Sequence, residues 1–299
     1  MVTSLSGRQY ELSSGPYRAA IASVGASLRA LTVDGRDLVV PYDADEVRPV
    51  YRGATLAPWP NRVVEGRYAF GGVLHELALT EPKRGHALHG LVAWLDFAEV
   101  AVAADSVVLA ASIVPQAGYP FAVDVLVAYE LDADGLHETV TATNVGPSPA
   151  PWGTGPHPYL VAGDGRVDDW TLESSATRVL QVTDDRLIPV SLDPVPPAFD
   201  FRSPRPIGDT FIDHAFTGFA SRSVTITAPN GTGVRVTWDE ACGWLQVHTA
   251  DRPDAPELSR IGLAVEPMTC PPDAFNSGTD VVVLAPAAST SAGWTIAAL

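Results

Sequence analysis

Two residues in this chain have the chemistry and setting of proton carriers. In Gly155-Pro156-His157-Pro158-Tyr159 a histidine stands between two prolines. Proline fixes its own φ and restricts the residue before it, so His157 has little freedom. That suits a group that must hand over a proton at a set place, and imidazole exchanges one near neutrality without strong perturbation. The plain alternative is a packed loop histidine. In Leu263-Ala264-Val265-Glu266-Pro267 an apolar run leads straight into a carboxylate, and a proline-rich stretch follows. A carboxylate ending a buried strand is costly unless it is paired or working, which makes Glu266 the second candidate.

Three further segments carry polar groups suited to gripping a ligand. Ala57-Pro58-Trp59-Pro60-Asn61-Arg62 uses two prolines to present Asn61 and Arg62 in a set direction. The guanidinium offers five N–H donors in a planar fork, although a solvated turn arginine would look the same. Arg84-Gly85-His86-Ala87-Leu88-His89-Gly90 places two histidines three residues apart. In an extended segment such residues face opposite ways, so a shared metal is not expected and one of the two should be exposed and structural. Asp213 opens Asp213-His214-Ala215-Phe216, where a solvated turn aspartate is the plain alternative.

Composition narrows the chemistry. The formal charge is −16 with a single lysine, Lys83, which excludes phosphate-backbone binding and hence nucleic acid as a partner. Two cysteines, Cys242 and Cys270, are too few for a disulfide framework or a thiolate zinc site, and no His-x-His or His-Glu-x-x-His spacing occurs. No metal and no cofactor are expected. The first residues lack a basic segment followed by an apolar run, and no apolar stretch is long enough to span a bilayer. The expectation is a cytoplasmic protein with no membrane partner.

The elements that must position these groups are strands. Hydrophobicity alternates with period two over Tyr17–Ile21, Ser27–Val33, Asp37–Val40, Tyr68–Phe70, Val73–Leu79, Val107–Ile113, Val123–Leu131 and Leu136–Asn144. The pattern resumes at Ser223–Ala228, Gly233–Trp238, Trp244–Thr249, Ile261–Glu266, Val281–Leu284 and Gly293–Ala297. Asp34-Gly35, Gly71-Gly72 and Asn230-Gly231 are tight-turn signals. Many short strands joined by such turns predict an all-β sandwich or barrel. Pro147–Pro151 and Pro194–Pro206 read as long loops within one domain, residues 1–299.

Taken together in chain order, Asn61-Arg62, Leu88-His89-Gly90, His157-Pro158-Tyr159, Asp213 and Glu266 resemble the aldose 1-epimerase (galactose mutarotase) family, over about Tyr17 to Trp294. The resemblance implies a large antiparallel β-sandwich and an isomerase that interconverts the α and β anomers of a free aldohexose. It implies His157 as general acid and Glu266 as general base. Asn61, Arg62, His89 and Asp213 would bind the sugar, and Gln246, in Trp244-Leu245-Gln246-Val247, matches a further sugar contact. Leu91, where many galactose mutarotases have glycine, suggests a bacterial side branch. Two alternatives accompany this reading. One is an epimerase for a phosphorylated or sulfonated hexose held by Arg52, Lys83 and Arg84. The other is a non-catalytic carbohydrate-binding sandwich that stacks sugar on Trp59, Trp94, Trp152 and Trp244. A sugar is the expected partner, to a monomer or homodimer.

Overall fold

The structure, a computed structural model, describes residues 4–299. Two large antiparallel sheets dominate. The first has nine strands in the order Ala98–Val102, Ser106–Ile113, Val123–Asp132, Gly135–Asn144, Ser289–Ala298, Gly233–Trp238, Ser223–Thr227, Thr171–Ser174 and Arg205–Pro206. The second has six: Tyr159–Leu160, Leu263–Met268, Trp244–His248, Asp213–Thr217, Arg178–Val182 and Pro189–Pro194. A four-stranded meander from Gln9–Ser14 to Arg36–Asp37 and several two-stranded pairs complete the molecule.

Alternation along the strands explains why the sheets pack face to face. Val123, Val125, Val127, Tyr129 and Leu131 are buried while their neighbours point outward. They share one hydrophobic core with Val179, Phe216, Leu245, Val247, Leu263 and Val265 of the six-stranded sheet and with Leu12, Ile21 and Leu31 of the meander. Each fully buried valine or leucine contributes about 1.5–3 kcal/mol. A one-residue slip of the Val123–Asp132 strand would turn that whole set to the other face. The result is the antiparallel β-sandwich that the pattern and the resemblance lead one to expect.

The other face of the six-stranded sheet matters for function. With Leu245, Val247, Leu263 and Val265 in the core, period two sends Gln246, His248, Ala264 and Glu266 the opposite way. Register aligns them: Gln246 lies opposite Glu266, His248 opposite Ala264, and Asp213 opposite His248. Tyr159 pairs with Ala264 on the far side. Four adjacent strands therefore present polar groups on one outward face.

Several elements differ from expectation. The strand containing Glu266 runs Leu263–Met268, so Glu266 is internal to it and Pro267 sits opposite Leu245. Asp37–Val40 is not a strand: Arg36–Asp37 closes the meander, and Val39 forms one isolated bridge to Leu160. The Pro194–Pro206 loop is interrupted by a turn of 3-10 helix at Pro197–Phe199 and by the edge strand Arg205–Pro206. Within Pro147–Pro151, Ala150–Trp152 forms a strand paired with Val282–Leu284. The strands at Gln9–Ser14, Ala98–Val102, Thr171–Ser174, Arg178–Val182, Pro189–Pro194 and Asp213–Thr217 are not among those expected from the sequence. Gln9–Ser14 does alternate, burying Tyr10 and Leu12, whereas the apolar groups of Arg178–Val182 and Asp213–Thr217 fall on adjacent residues, and there pairing rather than pattern makes the strand.

Candidate active site

A cleft of about 330 Å³ lies over the outward face of the six-stranded sheet. All seven residues singled out from the sequence line it: Asn61, Arg62, His89, His157, Asp213, Gln246 and Glu266. Three come from the sheet by register. The rest arrive on loops whose local structure has identifiable causes. Arg62–Val64 pairs with His86–Leu88, Arg62 opposite Leu88, which brings the Asn61-Arg62 and His89-Gly90 segments side by side. The Asn61 carbonyl accepts from the His89 N–H at 2.9 Å. His89 has φ of 62° and Gly90 of 72°. A Cβ at Gly90 would stand 2.0 Å from the Ala57 carbonyl oxygen, so only glycine permits this approach. His157 joins two short strands of different sheets, Gly155–Pro156 and Tyr159–Leu160, and its carbonyl accepts from Gly53 N–H at 2.8 Å.

His157 and Glu266 face one another, Nε2 to Oε1, at 3.6 Å. The imidazole is hemmed in by rings: Tyr159 at 5.2 Å and Tyr51 at 6.5 Å lie nearly parallel to it, and His89 meets it edge-on at 4.9 Å. Burial pushes the His157 imidazolium well below the usual histidine range, and the neighbouring His89 and His248 add to the effect. Burial also raises the Glu266 carboxyl well above the usual carboxylate range; Asp213 raises it further, while Arg62 works against the rise. Both groups are thus driven toward their neutral forms. His157 Nδ1, Glu266 Oε2, Gln246 Oε1 and His248 Nδ1 are buried and have no hydrogen-bond partner among the described residues. Four such atoms around one cleft suit a ligand bearing hydroxyl groups, each both donor and acceptor.

The surrounding groups are set by their partners. His89 Nδ1 lies 2.7 Å from the Pro60 carbonyl, which can only accept, so Nδ1 carries the proton and Nε2 is left as an acceptor. Burial takes the His89 pKa down to about 3, keeping the ring neutral. Asp213 accepts from Gln246 Nε2 at 2.7 Å and lies 3.8 Å from His248 Nδ1. Burial opposes its ionisation, but His248 and Arg62 outweigh that and hold it below the usual carboxylate range. Arg62 forms a two-pronged ion pair with Glu81, Nε to Oε2 at 2.7 Å and Nη2 to Oε1 at 3.1 Å. Glu81, Tyr51, Arg84, His248, Asp251 and Arg252 also line the cleft. Sequence reasoning did not single out Glu81, Tyr51, His248 or Arg252 for the site. For His248 the alternation of Gln246 and His248 on one strand was a usable signal; for Glu81, Tyr51 and Arg252 there was none.

Other residues weighed in the sequence lie elsewhere. His86 is fully buried rather than exposed, and His89 almost entirely so: His86 opens the strand paired with Arg62–Val64 and is covered by the Arg186 turn, and His89 is enclosed beside Asn61, Tyr51 and His157. His86 Nε2 donates to the Arg186 carbonyl at 2.8 Å and its Nδ1 accepts from Glu65 N–H at 3.3 Å, a cross-loop tie away from His89. Among the described residues no three His, Cys, Asp or Glu side chains are grouped to hold a metal. Trp59, Trp152 and Trp244 are buried and cannot act as stacking platforms, whereas Trp94 is 51% exposed. Of the basic residues considered for an anion, Lys83 is exposed, Arg84 lines the cleft but donates to Glu81 at 2.7 Å, and Arg52 lies 5.8 Å above the Tyr159 ring.

The aldose 1-epimerase family matches residues 8–296. The uncharacterised Escherichia coli protein YihR is 38% identical over 283 residues, covering 93% of this chain and 89% of that protein. In fold, the chain resembles the aldose epimerase homologue of C. elegans at TM-score 0.86 and 20% identity, covering 98% of each chain. A galactose mutarotase-like protein of Clostridium acetobutylicum superposes at TM-score 0.84 with 16% identity, covering 97% of this chain and 94% of that one. No helix among the described residues is long and apolar enough to cross a membrane.

Proposed function

The chain belongs to the aldose 1-epimerase family, and on that premise we propose that it interconverts the α and β anomers of a free aldohexose by acid–base ring opening, with His157 as acid and Glu266 as base. The observation that carries this reading is the pair itself. Two proton carriers stand 3.6 Å apart at the floor of a cleft of about 330 Å³. Ligand cavities run about 300–1,000 Å³, so this one suits a single ring. Glu266 takes the proton from the anomeric hydroxyl while His157 gives one to the ring oxygen. The C1–O5 bond breaks as the C1 carbonyl forms, rotation about C1–C2 presents the other face, and the reverse transfers close the ring. Arg62, His89, Asn61, Asp213 and Gln246 hold the hydroxyls.

The electrostatics bear on how the pair shares its proton. Ring opening leaves His157 neutral and Glu266 protonated, which are the forms that burial favours at each group. The site favours the same neutral forms before sugar binds, so this preference lowers no barrier by itself; it makes the imidazolium–carboxylate form the less populated arrangement of the one shared proton. Polarimetry of freshly dissolved glucose tests the reading. His157→Ala and Glu266→Gln should each lower kcat by about 10²–10⁴, the contribution of a positioned acid or base. Near-normal turnover by Glu266→Gln would remove Glu266 as the base.

A second reading, an anionic hexose as substrate, is favoured by one feature. Arg252 and Tyr159 both line the cleft, and the Arg52 guanidinium lies 5.8 Å from the Tyr159 ring, so two cationic groups flank the Tyr159 side. Arg52 Nε is buried without a hydrogen-bond partner among the described residues.

A further inference from the structure

We propose that Glu81 is a positioning residue that holds Arg62 in the orientation required for the sugar, a role that rests on the mutarotase reading. Arg62 has five N–H donors. Two are taken by the carboxylate of Glu81, at 2.7 and 3.1 Å, and a third reaches Asn61 Oδ1 at 3.4 Å. This leaves one N–H on each terminal nitrogen. A guanidinium gripped through Nε and one Nη cannot rotate about its long side chain, so those remaining donors point in one direction. A lone Arg62 would have to give up rotamer freedom on binding, which a positioned one has already given up.

Glu81 is in turn held from three sides. Its Oε1 also accepts from Arg84 Nη1 at 2.7 Å. Its backbone N–H donates to the His86 carbonyl at 3.0 Å, closing the loop that leads into the strand paired with Arg62. That loop is tied to the hairpin tip beside it, since Arg186 Nε donates to the Arg84 carbonyl at 2.8 Å and His86 Nε2 donates to the Arg186 carbonyl at 2.8 Å. The carboxylate is only 13% exposed. Burial alone would raise its pKa, but the hydrogen bonds from Arg62 and Arg84 prevail and keep it ionised. A buried ion pair with both partners so anchored is a device for direction more than for stability.

The test combines a kinetic cycle with a direct reading of Arg62. Glu81→Gln keeps the shape but loses the two-pronged grip, and should lower kcat/KM by about tenfold to a hundredfold. In an Arg62→Ala background the same change should cost less than about twofold, because a residue that acts through Arg62 has nothing left to position. Additive losses would overturn the proposal, since they would mean that Glu81 acts through the loop or on the sugar itself. Independently of turnover, the Arg62 Nε–H is observed by ¹⁵N NMR, assigned by its loss in Arg62→Lys. Its exchange with solvent should quicken at least about tenfold in Glu81→Gln; unchanged exchange would overturn the proposal as well. Should Glu81→Gln fail to fold, Glu81→Asp, which keeps the charge and shortens the reach, carries both measurements. If the parent protein turns over no sugar, the functional reading fails, while the exchange measurement still decides whether Glu81 holds Arg62.

Discussion

Asp213 is ionised in a place where burial opposes ionisation, and its charge is felt by both members of the proposed acid–base pair. It raises the Glu266 carboxyl as a like charge and supports the His157 imidazolium as an opposite one. Removing that charge lowers the proton affinity of both groups. The pair works only when it holds one proton, so kcat/KM should follow a bell in pH bounded by the loss and gain of that proton. In Asp213→Asn both limbs of the bell should therefore move toward acid, alongside a fall in kcat/KM of about tenfold or more from loss of the proposed sugar contact. A profile that stays in place, or moves toward alkali, would remove Asp213 from electrostatic contact with the pair. Its residue type was legible in the sequence; its enclosure, to 11% side-chain exposure, was not, because an Asp-His start looks like a turn until Asp213 is seen paired with His248 across the sheet.

Strand pairing creates a further buried carboxyl, away from the lining of the cleft. Glu138, on Gly135–Asn144, lies opposite Trp294 on Ser289–Ala298. Its Oε2 accepts from Trp294 Nε1 at 2.8 Å, and its Oε1 accepts from Thr55 Oγ1 at 3.4 Å, on the short strand that pairs with Gly155–Pro156 beside His157. Burial pushes its pKa up to about 8. The folded protein therefore keeps a proton that the unfolded chain releases above about pH 4.3. Folding binds more protons in that window, so this group's contribution to stability is full below about pH 4.3 and is lost as pH rises through about 8. Glu138→Gln retains an acceptor for Trp294 and has no proton to lose. Its Tm relative to the parent should rise between pH 5 and pH 8.5, as followed by thermal unfolding; a constant difference would mean that Glu138 is already ionised in the folded state.

Across the whole molecule the balance of −16 sets the long-range field. It repels an anionic sugar at a distance, although salt near 0.15 M confines the effect to about 8 Å. Inside the cleft, Arg62 and Arg84 share Glu81, which leaves Arg252, paired at Nε with Asp254 at 3.4 Å, and Arg52 over the Tyr159 ring beside the cleft as the groups placed to secure a phosphate or sulfonate. Comparing kcat/KM for glucose, galactose, glucose 6-phosphate and a 6-sulfonated hexose should show the neutral sugars used at least as well as the charged ones. A preference of about a hundredfold for an anion, equivalent to roughly 2.8 kcal/mol, that Arg52→Ala or Arg252→Ala abolishes would establish the second reading and leave the acid–base pair intact. The two cysteines report on the integrity of the same body. Cys242 and Cys270 are fully buried, and burial drives the Cys270 thiol up to about 12 and Cys242 upward as well. Both should resist a thiol reagent in the native protein at neutral pH and react together on denaturation; stoichiometric labelling of the folded state would show that the site region opens locally.

The alternation of residues determined by itself that the chain is all-β, a sandwich or a barrel, because period two is a property of the extended backbone and needs no partner to be visible; which of the two it is followed from the resemblance and from the pairing of the strands. The types of the residues proposed to carry protons and bind sugar were equally legible: prolines around His157, an apolar run into Glu266, glycine after His89. Tertiary structure decided what those types become. Register across three strands put Glu266, Gln246, His248 and Asp213 on one outward face, and register depends on partners far away in sequence. Burial turned His157 and Glu266 toward neutrality, an effect of the surroundings rather than of the residues. Glu81 became part of the site only because the Arg62 and Leu88 strands pair. Nothing local to a Glu-Pro turn marks it, since an ion pair is made by two chain segments meeting in space.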